Sequence, residues 1–248
     1  MNDRALPLTE GRVDVWLADP EQITSQAVLT EYEGLLDDDE RQQYGRFYFA
    51  VDRHLYLVAH ALVRTALSRY APIDPHQWRF VRNEHGRPEI EAAAGDPPLR
   101  FNLSHTKGLA ACAITPSADI GVDVEDIQRL DEPMKLAERW FAPREVEQLQ
   151  AAAPSQQREM VYQFWTLKES YLKARGTGLS LPLKDFAFQL QQPGKIGVDF
   201  KSSLNDDPVA WQFAFCRPTP RHMLSIAVRT GDKADFRIEQ HKLPDAVQ

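Results

Sequence analysis

The sequence has few of the features that mark secreted or membrane proteins. Its two cysteines, Cys112 and Cys216, are isolated and show no metal-ligand spacing. Two such cysteines do not make a disulfide framework, which favours a reducing cytoplasm. No apolar run approaches the ~20 residues of a membrane span, and the Met-Asn-Asp-Arg start lacks the apolar core of a secretion signal. We therefore expect a cytoplasmic protein without a membrane segment.

An excess of positive charge is also missing. The chain has 29 Lys and Arg residues against 36 Asp and Glu residues, a formal net charge of −7. Such a chain has no overall basic field to attract nucleic acid or an anionic membrane, so we expect neither as a partner. A polyanionic substrate would need a local cluster of Lys and Arg. The 248 residues, 43% of them hydrophobic, are enough for one large or two small globular domains.

Hydrophobic periodicity and turn residues predict the same order of elements twice: a strand, then helices, then short strands. The predicted helices are 24–36, 37–47, 51–70, 133–140, 143–152 and one that begins after Pro154. The predicted strands are 13–17, 78–81, 100–103, 109–114, 120–125, 186–190, 197–200, 209–216 and 223–229. This order favours an α+β fold of two duplicated halves, residues 1–117 and 118–248, although no repeat is visible in the sequence itself. Residues 234–248 are weakly patterned, and we expect a C-terminal arm there.

Local turn residues refine this picture between the two halves. Residues 104–108 are polar and end in glycine, so we expect an elbow between two strands. The Thr-Pro-Ser turn at residues 115–117 predicts an antiparallel hairpin that spans residues 109–125.

The stretch from Phe164 to Gly176 is predicted to be an amphipathic helix that ends at a glycine cap. Its apolar stripe comprises Phe164, Leu167, Tyr171 and Ala174. Glu169 and Lys173 point roughly the other way, one turn apart, and Lys168 lies between the two faces. On its own the stretch also fits an ordinary core helix with a solvent-exposed Glu–Lys pair.

A second stretch, Ile-Gly-Val-Asp-Val-Glu at residues 120–125, alternates as a half-buried strand does. Asp123 and Glu125 share one face with Gly121, and their Cα atoms are roughly 6–7 Å apart. Their oxygens can converge on one hard cation, and Gly121 is expected to leave room for a ligand to approach the backbone. The alternative is an edge strand whose acidic residues face solvent.

Together these two motifs resemble those of the 4′-phosphopantetheinyl transferases. The Gly-Arg-Pro turn at residues 86–88 and the Phe-Asn-Leu-Ser-His-Thr segment at residues 101–106 resemble further motifs of that family. The Gly-Thr-Gly-Leu-Ser-Leu-Pro-Leu loop at residues 176–183 resembles that of its long, surfactin-synthetase-activating subclass. The resemblance covers roughly residues 41–190 and implies a monomeric pseudo-dimer of two α+β halves in one chain.

The resemblance implies transfer of the 4′-phosphopantetheine arm of coenzyme A to a serine of an apo acyl- or peptidyl-carrier protein, with release of 3′,5′-ADP. Asp123, Glu125 and Glu169 supply three hard oxygens suited to Mg²⁺. Glu169 is also the expected general base, so Asp123, Glu169 and Lys173 form the expected catalytic group. Lys168 and Lys173 flank Glu169 and are expected to hold phosphate.

Coenzyme A is expected to need further contacts. His105 and its neighbour Ser104 are predicted to bind phosphate, although a solvent-exposed loop histidine is the alternative interpretation of His105. Glu40 and Gln43 fall where relatives carry lysines that help to bind the 3′-phosphate. We expect Arg53, with Arg87 as a second contact, to substitute for them.

Two other functions fit part of the pattern. A Mg²⁺-dependent nucleotide pyrophosphate hydrolase would also use clustered carboxylates and lysines, with water as its acceptor. A non-catalytic module that binds carrier proteins would keep the fold without the chemistry. The sequence does not identify the carrier protein, and the apolar residues around 179–183 are expected to contribute to its docking.

Overall fold

The computed structural model describes residues 6–91, 98–178, 181–191, 195–231 and 236–243. Within these ranges the helices are α1 (Gln26–Leu35), α2 (Asp38–Arg46), α3 (Ala50–Leu67), α4 (Pro133–Trp140), α5 (Pro143–Ala151) and α6 (Pro154–Arg175). The strands are β1 (Arg12–Ala18), β2 (Phe80–Arg82), β3 (Pro88–Ile90), β4 (Arg100–Thr106), β5 (Leu109–Thr115), β6 (Ile120–Asp126), β7 (Phe186–Gln191), β8 (Lys195–Phe200), β9 (Trp211–Thr219), β10 (His222–Arg229) and β11 (Arg237–Lys242). The predicted helices and strands are present with small differences at their ends.

The chain divides into two compact units. The first contains the described residues within Met1–Asn83, Pro88–Ser117 and Arg237–Gln248. The second contains those within Glu84–Arg87 and Ala118–Phe236. In the described residues each unit has three α-helices, one larger sheet and one two-stranded hairpin, β2–β3 in the first and β7–β8 in the second. The α+β prediction is therefore confirmed, while the duplication of the halves stays a prediction.

The sheet of the first unit has the strand order β11-β1-β5-β4. Its central strands are almost entirely buried, and α3 packs against them through a core that includes Leu57, Leu62 and Ala66. Strand β11 pairs in parallel with β1 and lies within the expected C-terminal arm. The arm prediction missed this strand because Arg-Ile-Glu-Gln-His-Lys has a single apolar residue and joins the sheet as an edge.

The predicted hairpin between residues 109 and 125 is wrong. Strand β5 pairs with β4 and β1, whereas β6 pairs with β10 in another sheet. The hairpin is formed instead by β4 and β5, which meet at a tight turn around Lys107 and Gly108, where Gly108 has a φ of +83°. Consequently Ser104 and His105, expected in an elbow, belong to the end of β4.

The sheet of the second unit has the order β6-β10-β9, with all pairs antiparallel. Helix α6 packs on β6 and β10. Its predicted apolar stripe is buried, and the predicted cap is present: Gly176 takes a φ of +67° and donates its N–H to the carbonyl groups of Leu172 and Lys173. Aromatic side chains fill this core, with the ring of Tyr171 about 5 Å from those of Phe186, Phe200 and Trp211. Among the described residues, no helix is both long and apolar enough to cross a membrane.

Candidate active site

The site is built where β6 crosses α6 in the second unit. The two elements touch at Gly121, where an added Cβ would lie 1.9 Å from the carbonyl oxygen of Ser170 and 2.5 Å from the backbone nitrogen of Ala174. Only glycine fits such a contact. The space that the sequence predicted for a ligand is therefore occupied by α6 itself, and this prediction is wrong. The close crossing turns the Asp123 side of β6 toward α6.

Asp123 and Lys173 form the central ion pair of the site. Lys173 Nζ lies 2.7 Å from Asp123 Oδ1 and 3.2 Å from the carbonyl oxygen of Val122. Asp123 is only 5% exposed, so the alternative of an acidic edge strand that faces solvent does not describe it. Lys173 is partly exposed and can still meet an anion from solvent.

Glu125 lies two residues further along β6 and is half-buried. Its carboxylate accepts hydrogen bonds from Trp165 Nε1 at 3.3 Å and from Arg129 Nη1 at 3.2 Å. Burial, reinforced by the charge of Asp123, raises the pKa of Glu125 to about 7, against the opposing effect of Arg129 and Lys173. The carboxylate is thus held close to a second negative charge.

Glu169 meets the same carboxylates from the side of α6. Burial raises its pKa to about 7, and the charges of Asp123 and Glu125 add to the effect, while Lys173 opposes it. The three predicted metal ligands and Lys173 are therefore brought into one electrostatically coupled group. A perturbed group of this kind is typical of a functional site.

The donor set of this group fits a hard divalent cation. It offers three carboxylates, and their mutual repulsion is the kind of strain that a divalent cation relieves. In this structure Asp123 is engaged by Lys173, and Glu125 by Trp165 and Arg129. Binding of a cation would draw these carboxylates away from those partners.

Another cluster of potential ligands lies in the first unit. Asp14, Glu239 and His241 place one donor atom each within 4.8 Å of one another. However, Arg12 bridges the two carboxylates, at 2.7 Å from Asp14 and 2.9 Å from Glu239, and Tyr70 donates a hydrogen bond to Asp14. These contacts engage both carboxylates and tie β1 to β11. The sequence did not indicate this network, because its members come from opposite ends of the chain.

Lys168 does not face the coupled group. Its side chain is fully buried, and its Nζ lies 2.8 Å from Glu145 Oε2. It also donates to the carbonyl oxygens of Leu183 and Phe186, at 2.8 and 2.7 Å. Burial lowers the pKa of Lys168 and raises that of Glu145, and the attraction between the two charges offsets part of both shifts. Three acceptors of the protein surround this ammonium group in the interior. The expected contact of Lys168 with phosphate is therefore corrected, because its side chain is bound by the protein itself.

Arg87 is also engaged within the second unit. Its guanidinium donates to the carbonyl oxygens of Lys173, Ala174 and Ile120, at 2.8–3.1 Å. The first two carbonyls belong to the last turn of α6, where a cation is favoured by the helix dipole. Arg87 therefore caps the helix beside Lys173, and an additional contact with coenzyme A stays a prediction.

The remaining predicted ligands belong to the first unit. Arg53 is exposed on the first turn of α3, with its guanidinium 5.8 Å from the ring centroid of Tyr44. Ser104 is buried and His105 exposed near the end of β4. Glu40, expected at a position where relatives carry a lysine, pairs with the buried Arg64 at 2.7 Å. In this chain its carboxylate therefore has a structural partner.

Apolar side chains near the site are less exposed than expected. Of the predicted docking residues, Leu179 and Ser180 lie outside the described ranges, while Leu181 and Leu183 are half-buried against the core of the second unit.

A small pocket lies beside Glu125, and its apolar lining comprises Leu130, Leu136, Val161, Tyr162 and Trp165. The sequence did not indicate this pocket, because its lining comes from several separate elements.

Comparison with known proteins decides between the interpretations of this site. A model described as the 4′-phosphopantetheinyl transferase superfamily matches residues 119–227, and one described as the 4′-phosphopantetheinyl transferase N-terminal region matches residues 23–117. A 4′-phosphopantetheinyl transferase of Bacillus subtilis is 36% identical over 202 residues, which cover 79% of this chain and 88% of the relative. The chain belongs to the 4′-phosphopantetheinyl transferase superfamily.

Two further proteins align with different shares of the chain. The 4′-phosphopantetheinyl transferase Sfp of Bacillus subtilis (strain 168) is 32% identical over 179 residues, covering 72% of this chain and 77% of that protein. A solved holo-(acyl-carrier-protein) synthase of Bacillus anthracis aligns at 19% identity and a TM-score of 0.39, over 46% of this chain and 96% of the other. The family and enzyme class predicted from the two motifs, that of a phosphopantetheinyl transferase, are confirmed.

Proposed function

We propose that this chain transfers the 4′-phosphopantetheine group of coenzyme A to a serine of an apo acyl- or peptidyl-carrier protein. The serine oxygen forms a bond to the phosphorus nearest the pantetheine arm, the pyrophosphate P–O bond breaks, and 3′,5′-ADP leaves. Membership of the superfamily supports the reaction. The observation that supports a site at these residues is the grouping of three carboxylates with Lys173 where β6 crosses α6.

Asp123, Glu125 and Glu169 are the proposed ligands of Mg²⁺. Bound by them, the ion would neutralise the non-bridging oxygens of the pyrophosphate. Lys173 adds a compact positive charge beside the same carboxylates, suited to a phosphate oxygen. We expect calorimetry to detect Mg²⁺ binding by the wild-type chain, and binding weakened at least tenfold in Asp123→Asn.

Glu169 is the proposed general base. Without a metal its pKa is about 7, and a bound Mg²⁺ would lower it, so Glu169 would be ionised and able to accept the serine proton near neutral pH. Glu169 comes from α6, while the other two proposed ligands come from β6. It is therefore the member of the group best placed both to bind the metal and to accept the proton of the acceptor serine. The proton therefore passes from the serine hydroxyl to Glu169, directly or through a water molecule.

We further propose that the 3′-phosphate of coenzyme A is recognised by basic side chains, with Arg53, Arg87 and His105 as the candidates. Ser104 is proposed as a further hydrogen-bond donor to the phosphates.

We also propose a monomer in a reducing cytoplasm, with no nucleic-acid or membrane partner. Sedimentation of an obligate dimer or trimer at micromolar concentration would contradict the monomer.

The decisive experiment incubates the protein with an apo carrier protein, coenzyme A and MgCl₂. Mass spectrometry of the carrier should show one added phosphopantetheine group, and none when EDTA replaces the metal. A nucleotide pyrophosphate hydrolase would release 3′,5′-ADP without any carrier. A non-catalytic module would bind the carrier and modify nothing. Fatty-acid, polyketide and peptide carriers tested in parallel would identify the preferred acceptor.

A further inference from the structure

Lys168 directly precedes the proposed base in the chain, yet its environment is unlike that of a substrate ligand. Its side chain and that of Glu145 are both 0% exposed. Three aromatic rings surround the ammonium group, with Nζ 4.3 Å from the ring centroid of Phe186 and about 6 Å from those of Phe141 and Phe188. Within this cage its three donors meet Glu145 and two carbonyl oxygens.

Glu145 extends the same network to two further elements. Its Oε2 accepts from the backbone N–H of Ala142 at the start of α5, and its Oε1 accepts from that of Phe188 in β7. Each bond is 2.9 Å long. Through this carboxylate, Lys168 is bonded to the start of α5, and it reaches β7 both through Glu145 and through the carbonyl of Phe186. The contacts are directional, so they restrict rotation as well as translation of α6.

We infer that Lys168 is a positioning residue, which acts with Glu145 to fix the rotation of α6 about its axis. Consecutive helical residues point ~100° apart, so anchoring Lys168 in the interior sets the direction of Glu169. Lys173 lies one turn beyond Glu169 on the same face and is set by the same anchor. The inference rests on the proposed function only in that Glu169 and Lys173 are the residues that act on the substrate.

A first experiment uses the unaltered protein and measures lysine acetylation by mass spectrometry, with and without saturating coenzyme A. Lys168 should remain unmodified in both conditions under native labelling. Lys201, whose side chain is 61% exposed, provides the reference rate. Labelling of Lys168 at the rate of Lys201, with protection by coenzyme A, would make it a substrate ligand and overturn the inference. Protection of Lys173 by coenzyme A reports separately on the proposed phosphate contact.

A second experiment compares Lys168→Met, Glu145→Gln and the double variant, each checked for cooperative unfolding. Removing one partner leaves a buried charge unpaired, so the single variants should be the less stable ones, and the double variant keeps the test possible if they do not fold. We expect kcat to fall at least tenfold in every folded variant, and KM for coenzyme A to rise less than kcat falls, because the same anchor also sets the direction of Lys173. The loss in the double variant should equal that in the worse single variant, because either substitution already removes the anchor.

Three results would overturn the inference. A tenfold rise in KM at unchanged kcat would mean that Lys168 binds the substrate. If the losses of kcat multiply in the double variant, Lys168 and Glu145 act independently of each other. An unchanged kcat in folded variants would reduce the pair to a purely structural role. Lys201→Met, which breaks an exposed pair with Asp185, serves as the matched control and should leave kcat unchanged.

Discussion

The backbone of Gly121 lies so close to Ser170 that a Cβ at position 121 would approach the carbonyl oxygen of Ser170 to 1.9 Å. Both partners are backbone atoms of regular elements, so neither can move aside without shifting a whole strand or helix. The contact therefore sets the spacing between β6 and α6. Since Asp123 and Glu125 lie on β6 and Glu169 and Lys173 on α6, it also sets the spacing of the site.

Gly121→Ala should accordingly impair both stability and activity. Overpacking at such a contact destabilises by about 1–3 kcal/mol, and a forced shift of β6 should lower kcat at least tenfold. Gly45→Ala in α2 is the matched control. An added Cβ there meets nothing within 4 Å, so we expect an unchanged kcat and a slight gain in stability. Urea unfolding and steady-state kinetics measure the two effects, and a wild-type kcat in the Gly121→Ala variant would show that the spacing tolerates a methyl group.

The parts of the fold that the sequence predicted well are those with local signals. Helix α6 has a regular apolar stripe and a glycine at its end, and α4 and α5 each begin with a proline at the first position. Strand β6 alternates strictly in hydrophobicity. These features report on their own segments, so no knowledge of distant neighbours was needed.

The parts that the sequence predicted poorly depend on partners far along the chain. Strand β11 has almost no hydrophobic pattern and exists because β1 offers an edge to pair with. Lys168 lies between the two faces of its helix, and only the approach of Glu145 from α5 makes its burial possible. Gly121 was correctly identified as a point of close approach to the backbone. The approaching element is α6, however, which the pattern of a single strand cannot indicate.

His60 should make the stability of the protein depend on pH. It stacks on Tyr56, at 3.8 Å between ring centroids, and burial lowers its pKa to about 4. Below pH ~6.5 the unfolded chain binds a proton at this histidine that the folded chain does not bind. Its contribution to stability is therefore fully present above pH ~6.5 and is lost as the pH falls toward 4. The loss should reach about 2–3 kcal/mol at pH 4.5.

Urea unfolding at pH 7 and pH 4.5 tests this expectation. Because many carboxylates titrate in the same range, the wild type is compared with a variant that lacks His60. The decrease in unfolding free energy should be about 2–3 kcal/mol smaller in His60→Gln than in the wild type. His76→Gln removes an exposed histidine and should leave the decrease unchanged. Equal decreases in the wild type and in His60→Gln would show that His60 titrates alike in both states.

Coenzyme A should be a better donor than dephospho-coenzyme A. The basic residues Arg53, His105 and Arg87 exceed what the pyrophosphate needs, and a charge-assisted contact with the 3′-phosphate is worth roughly 1.5–3 kcal/mol. We expect kcat/KM to fall at least tenfold without that phosphate. His105→Ala should raise KM for coenzyme A and should affect dephospho-coenzyme A much less. A large fall in kcat at unchanged KM would instead assign His105 to the chemistry.

The three proposed metal ligands should not respond alike to substitution. Asp123 and Glu125 come from one strand, whereas Glu169 comes from the helix that also carries Lys173. A neutral amide keeps the size and some coordinating ability of a carboxylate but cannot accept a proton. Asp123→Asn should therefore weaken Mg²⁺ binding, and high Mg²⁺ should restore part of the activity.

Glu169→Gln should lower kcat by about 10²–10⁴-fold, the usual range for loss of a general base, and high Mg²⁺ should not restore it. The measurement is kcat of each variant titrated with MgCl₂ at saturating coenzyme A and carrier protein. Retention of normal coenzyme A binding by Glu169→Gln would show that the fold of the site is intact. If Mg²⁺ rescues Glu169→Gln as readily as Asp123→Asn, then Glu169 serves only as a ligand. The base would in that case be another group within reach of the acceptor serine.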